Sequence, residues 1–252
     1  MNNIEIQIGV RGGSVLDYTF QVPEKWEEVS HKQLPSLIKL AIKPMADIDK
    51  IREVLKAYGF KKSLTKKLFL FEMREVMKLF SWLNEEWNDP RSLVPKLGLF
   101  KGPKDYLSGL QLNQLLLAGI HAQNADNFQE EGDLKNLRKE LRSLTSTLYT
   151  PLGLKYSYTF SKMYSPLFRL FPMWKIQAAS ISFRAQRLWL KDHFPACHSG
   201  GGEEGIRDFG PYGLVVDLAG QEFGDVDKVN KTDIIYVFTK LEKLALQKRD
   251  NK

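Results

Sequence analysis

Apolar residues take alternate positions at the start of the chain. Ile4, Ile6, Ile8 and Val10 share one side of an extended strand while Glu5 and Gln7 take the other. Gly12 and Gly13 interrupt this pattern, Leu16, Tyr18, Phe20 and Val22 resume it, and Pro23 ends it, which predicts a β-hairpin. From Trp26 the period lengthens. Leu34, Leu37, Ile38, Ala41 and Ile42 recur at helical spacing with Ser30 placed to cap them, and Ile48, Ile51, Val54 and Leu55 repeat the pattern up to a stop at Gly59. A third helix is expected over about 63–85, carrying Leu68, Phe71, Val76, Leu79 and Phe80, before Asn88, Asp89 and Pro90 break the chain.

Residues 91–108 hold Pro95, Gly98, Gly102 and Pro103 and read as a loop, and residues 110–120 return to helix. The polar, acidic stretch 124–132 is the expected point of flexibility. Leu134, Leu137, Leu141, Leu144 and Leu148 then mark one apolar stripe, with Lys135, Arg138, Lys139 and Arg142 on the other faces. Tyr156, Tyr158 and Phe160 alternate, which suits a short strand or an extended loop. Pro166 and Pro172 bracket residues 167–171, a strong helix is expected at 173–192, and further helices at about 212–219 and 232–247. The glycine-rich run 199–205 reads as a mobile loop. No internal repeat is visible. The expected architecture is mainly α (α+β): an N-terminal β-hairpin (1–25) followed by a multi-helix bundle made of a helical part (26–123) and a basic, aromatic helical part (133–252).

Composition sharpens this picture in one place. The 252 residues are 43% hydrophobic and 12% aromatic, enough for a sizeable core. The net charge of +7 is unevenly spread: from Asp133 to Lys191 there are eleven Lys/Arg against two acids, Asp133 and Glu140, so this region alone outweighs the whole chain. A concentrated basic and aromatic surface points to a large or anionic partner rather than a small neutral substrate. No apolar run approaches the ~20 residues of a membrane span, and no basic segment followed by an apolar one opens the chain. With a single cysteine, Cys197, the expectation is a soluble cytoplasmic protein without an internal disulfide.

Candidate chemistry is thin. His193, Cys197 and His198 are zinc-ligand types, but a structural site needs four ligands, and His31 and His121 are remote in sequence. The same trio offers a thiol beside imidazoles, yet neighbours in sequence rarely face each other as nucleophile and base. Gly200, Gly201 and Gly202 precede Glu203 and Glu204, which would repel a phosphate, so the phosphate-loop reading fails. The acid pairs Glu85/Glu86 and Glu130/Glu131 read as solvated surface. No cofactor, metal or catalytic residue is therefore expected. The basic region gives a better candidate: Arg184, Arg187 and Lys191 at i, i+3, i+7 form one stripe, with Trp174 and Trp189 elsewhere on the same helix. Such a stripe can grip phosphates, steer an acidic partner, or merely rim a core. The leucines Leu137, Leu141 and Leu144 form a second candidate partner surface, for a helix laid in a groove.

The order of motifs adds a resemblance. The run from Tyr18 through Pro23, Trp26, Val29, Ser30 and Gln33 to Leu34, together with Leu148-Tyr149-Thr150-Pro151, Phe171-Pro172, Trp189 to Pro195, Tyr212-Gly213 to Ala219-Gly220 and Phe223-Gly224 to Val229, resembles a group of proteins encoded in phages and prophages of Bacteroidetes-type bacteria. The resemblance covers most of the chain, through turns and caps rather than catalytic signatures. Genes of that group lie among tail genes, so the resemblance implies a non-enzymatic role in tail assembly, as a chaperone-like binder of the tape-measure protein or another tail component such as the tail tube. This chain is longer than conventional tail chaperones, which leaves a minor tail or connector component as an alternative. The implied location is the host cytoplasm or the virion. A nucleic-acid-binding accessory protein that uses the basic 133–191 region is the rival from another class, separable by its steep salt dependence.

Overall fold

The structure is a computed structural model that describes residues 2–9, 15–30, 32–42, 47–59, 78, 80–85, 87–198, 218–219 and 224–250. Among these the protein is mainly helical, with a small three-stranded sheet. Most of the helix expected at 63–85, most of that at 212–219, the loop 199–205 and His31 lie outside the described residues. The chain divides into two compact units, Met1–Asp89 and Pro90–Lys252. The division falls at the break signalled by Asn88, Asp89 and Pro90, and residues 90–123 cluster with the second unit.

In the first unit, helices α1 (Leu34–Ile42) and α2 (Asp47–Ala57) carry the two expected stripes. Leu34, Leu37, Ile38, Ile51, Val54 and Leu55 are all buried. Ser30 accepts the Gln33 and Leu34 amides on its carbonyl while its hydroxyl bonds Gln33 Oε1 at 2.7 Å. Gly59 ends α2 at φ +88°, a conformation that favours glycine. Around these helices Trp26 meets Trp82 edge-on at 4.9 Å and Trp87 at 5.3 Å, and its indole N–H donates to the Glu85 carbonyl. Buried aromatics of this size dominate a small core, each contributing about 3–5 kcal/mol against truncation to alanine.

The second unit is built on a helical hairpin. Helix α3 (Leu112–Glu130) and helix α4 (Leu134–Leu148) turn on Gly132 at φ +73°, and the Asp133 carboxylate caps α4 by accepting the amides of Lys135 and Asn136. These bonds hold the Asp133 carboxyl below the usual carboxylate range. The acidic segment expected to be flexible is thus helical as far as Glu130. On α3, Leu112, Leu115, Ala118, Ala122 and Ala125 are buried, and on α4 Leu141, Leu144 and Leu148 are buried. The alanines leave room for the leucines opposite.

Helix α5 spans Tyr158–Tyr164 and runs into a 3-10 turn over Ser165–Leu170. Of the aromatic alternation, Tyr156 lies in non-helical backbone and Ser157 is extended, whereas Tyr158 and Phe160 are helical, the Ser161 amide closing on the Ser157 carbonyl at 2.9 Å. Three alternating residues are too few to fix a period. Helix α6 (Met173–His193) follows, then the short α7 (Pro195–His198), α8 (Val226–Lys231) and α9 (Ile234–Asp250).

Two buried polar residues of α6 organise the irregular 90–107 segment. Ser182 donates to the Arg91 carbonyl and accepts the Leu93 amide, and one turn on, Gln186 donates to the carbonyls of Pro90 and Lys104. Clamped in this way, the segment holds Tyr106 and Leu107 at positive φ, which costs L residues about 1–3 kcal/mol each. It also forms the sheet β1 (Lys96–Leu97), β2 (Phe100–Lys101) and β3 (Thr150–Pro151), antiparallel throughout, where the sequence suggested only a loop. Tyr149 locks the junction. Its hydroxyl donates to the Val94 carbonyl, and its ring lies where a Cβ on Gly102 would fall, 2.6 Å away.

Candidate functional site

The residues singled out by sequence go to different places. Arg184 reaches from α6 to α3 and pairs with Asp126, both side chains remaining partly exposed. Arg187 lies over the Phe183 ring at 5.8 Å, and its guanidinium would contact a Cβ on Gly119 of α3 at 3.7 Å. Partial desolvation and the like charge of Arg184 lower its affinity for its proton, although it stays charged. Lys191 is exposed one to two turns further along. Trp189 is packed between Tyr106, edge-on at 4.9 Å, and His193, stacked at 4.7 Å, while Trp174 is half-buried with the Lys175 ammonium 5.7 Å from its ring. In the second candidate surface, Leu141 and Leu144 are buried in the hairpin and Leu137 is half-buried. The structure therefore brings Arg184 and Arg187 together against α3. It does not join them to the leucine stripe as one open surface.

Cys197 is held as a thiol. Glu242 of α9 accepts the backbone amides of Ala196 and Cys197 at 3.0 and 2.9 Å, and the Cys197 Sγ lies 3.5 Å from the Phe238 carbonyl. Burial, reinforced by the hydrogen bond and negative charge of Glu242, pushes the thiol up to about 12. His193 has its ring stacked on Trp189, and the His198 side chain lies outside the described residues. Among the described residues no group of three or more His, Cys, Asp or Glu is arranged to hold a metal ion, and no helix is long and apolar enough to cross a membrane.

Sequence reasoning missed a more open arrangement. Tyr158, Ser161, Lys162, Ser165 and Arg169 recur at i, i+3, i+4, i+7, i+11, so α5 and its 3-10 continuation turn one polar side inward. That side faces Lys139, Arg142, Ser143, Ser146 and Thr147 of α4, and His121 of α3 completes a pocket of about 320 Å³. The opposite side of the same segment carries Phe160, Met163, Leu167 and Leu170, all exposed, Met163 by 64% and Leu170 by 81%. This polarity is the reverse of a core-facing helix, which hides its apolar side. Phe168 alone among the large residues of the 3-10 turn is fully buried, against Phe100 at 4.9 Å and Phe171 at 5.7 Å, and it anchors the segment. A signal existed in the sequence: the α4 face opposite its leucines is rich in small hydroxyls beside two cations, which a purely solvated face does not need.

No family model, curated protein or solved structure matches the chain.

Proposed function

We propose that the protein is a non-enzymatic binding protein of phage-tail assembly, a chaperone-like partner of the tape-measure protein or another helical tail component, acting in the host cytoplasm or carried into the virion. The observation that supports a binding role is the outward-facing apolar row Phe160, Met163, Leu167 and Leu170, extended by the exposed Leu152 and Leu154. Exposed apolar side chains in one short segment suit an apolar helix face on a client. The exposed Lys155, next to Leu154, favours a client whose flank is acidic, because opposite potentials speed encounter and fix orientation. The docking surface thus shifts from the stripe around Arg184 and Arg187, whose charges serve the α3–α6 contact, to the 152–170 segment. The N-terminal hairpin belongs to the same proposal: strands at Asn2–Gly9 and Val15–Val22 paired antiparallel, Asn2 opposite Val22, offer backbone edges to a second partner segment.

The test is capture of tail proteins by the tagged chain from cells that express its neighbouring genes. Met163→Asp and Leu170→Asp place a charge on exposed sites and should leave the melting temperature within a few degrees while lowering client recovery about tenfold or more. Undiminished recovery by both variants rejects this face as the docking surface. A second reading, binding to nucleic acid, is favoured by the cations Lys139, Arg142, Lys162 and Arg169, which have no carboxylate partner among the described residues. It requires that recovery vanish on nuclease treatment and fall steeply with salt.

A further inference from the structure

We propose that the pocket between α3, α4 and the 158–170 segment is a binding site for a compact phosphate-bearing ligand, a phosphomonoester or a mononucleotide. The inference stands on the pocket itself and not on the tail-assembly reading. Four cations line it, Lys139 and Arg142 from one wall and Lys162 and Arg169 from the other, and no carboxylate is among its lining residues. Glu140, next in sequence to Lys139, is turned away and engaged by His121 Nδ1 at 2.8 Å, which also fixes the orientation of the His121 ring.

The hydroxyls divide into two groups. Those of Ser146, Thr147 and Ser161 are spent on the backbone carbonyls of Ser143 and Tyr158 at 2.9 to 3.0 Å. Those of Ser143 and Ser165 make no bond to protein among the described residues and are available as donors. Two guanidinium forks, two ammonium groups and two free hydroxyls facing one cavity match an oxyanion that carries two or more negative charges. Lys162 rests its ammonium 4.7 Å from the Tyr158 ring centre, while Lys139, Arg142 and Arg169 have no carboxylate partner among the described residues, so an anion that relieves their mutual repulsion should stabilise the fold.

Shape selects a compact ligand over a polymer. A strand of nucleic acid presents a line of phosphates and asks for cations strung along a surface, whereas these converge from two walls on a concavity. At about 320 Å³ the pocket exceeds what one phosphate fills and reaches the lower end of small-molecule sites, roughly 300–1,000 Å³. Tyr158, which lines the pocket and is about half exposed, carries the Lys162 ammonium 4.7 Å from its ring centre and so holds that cation at the pocket.

The experiment is titration calorimetry of the full chain at fixed ionic strength with pyrophosphate, adenosine monophosphate, sulfate and a 20-nucleotide single strand, paired with thermal melts. The expected result is saturable 1:1 binding of adenosine monophosphate, with a rise in melting temperature and tighter than any binding of sulfate. Affinity should fall about tenfold or more in Arg142→Ala and in Arg169→Ala, because each removes a charge-assisted pair, and should not change in Lys96→Ala. Lys139→Gln and Lys162→Gln repeat the test with smaller structural risk if an arginine variant melts early. No saturable binding of adenosine monophosphate, binding indifferent to all four pocket substitutions, or binding of the single strand alone would each overturn the proposal. Client capture by the Met163→Asp variant separates failure of this site from failure of the docking surface.

Discussion

At the scale of single residues, partners decide chemistry more than identity does. Cys197 beside two histidines suggests reactivity on paper, yet burial first, and then the hydrogen bond and negative charge of Glu242 across the fold, disfavour its thiolate. With the thiol pushed up to about 12 from its ordinary range, its protonated form is favoured by folding. That contribution is complete below about pH 9 and is lost as pH rises through about 12. Alkylation by iodoacetamide at pH 8 should therefore run two to three orders of magnitude slower in the folded protein than in urea, where an ordinary cysteine titrates near ~8.5. Equal rates would show that burial and Glu242 do not suppress this thiolate. Tyr149 illustrates the same rule. Its hydroxyl bond and the absence of a Cβ on Gly102 are one packing unit formed by residues 47 positions apart, and nothing local in the sequence announces it.

At the scale of elements, amphipathic period was legible and its destination was not. The stripes of α1, α2 and α4 bury Leu34, Leu37, Ile38, Ile51, Val54, Leu55, Leu141, Leu144 and Leu148, while Leu134 at the start of α4 is exposed and Ile42, Ile48 and Leu137 are half-buried. The i, i+3 spacing of Arg184 and Arg187 does place both on one side of α6, but that side meets α3 through Asp126 and Gly119. This placement makes Gly119 a useful probe. It lies mid-helix, and a Cβ there would meet Arg187 at 3.7 Å, an ordinary contact. Gly119→Ala should thus gain most of the helix-propensity difference, about 0.5–1 kcal/mol, and raise the melting temperature by about 2–4 °C. A fall would mean that the Arg187 guanidinium needs the bare backbone. The α5 segment shows where period fails. Tyr156, Tyr158 and Phe160 alternate like a strand, yet they enter a helix whose apolar side turns outward.

At the scale of the whole molecule, the chain forms two compact units that meet in sequence at Pro90. The second closes on itself. Thr232 and Leu110 exchange backbone bonds with Leu112 and Ile234, and the Asp233 carboxylate accepts the amides of Gly109 and Ile235. Residues 90–252 expressed alone should accordingly fold, with a single cooperative denaturant transition and a slope set by the surface that unit buries. A broad, non-cooperative transition would show that the first 89 residues are needed. By itself the sequence determined that the protein is mainly helical, where its stripes and caps lie, that a break falls at 88–90, and that the basic charge sits in 133–191, because period, turn chemistry and charge are local properties. Only the tertiary structure decided which cations are spent on Asp126 and α3 and which converge on the pocket without a carboxylate among its lining residues. A helix fixes the direction of its own side chains, but what stands opposite them is set by residues distant along the chain, His121 lying 41 positions from Lys162 and 48 from Arg169.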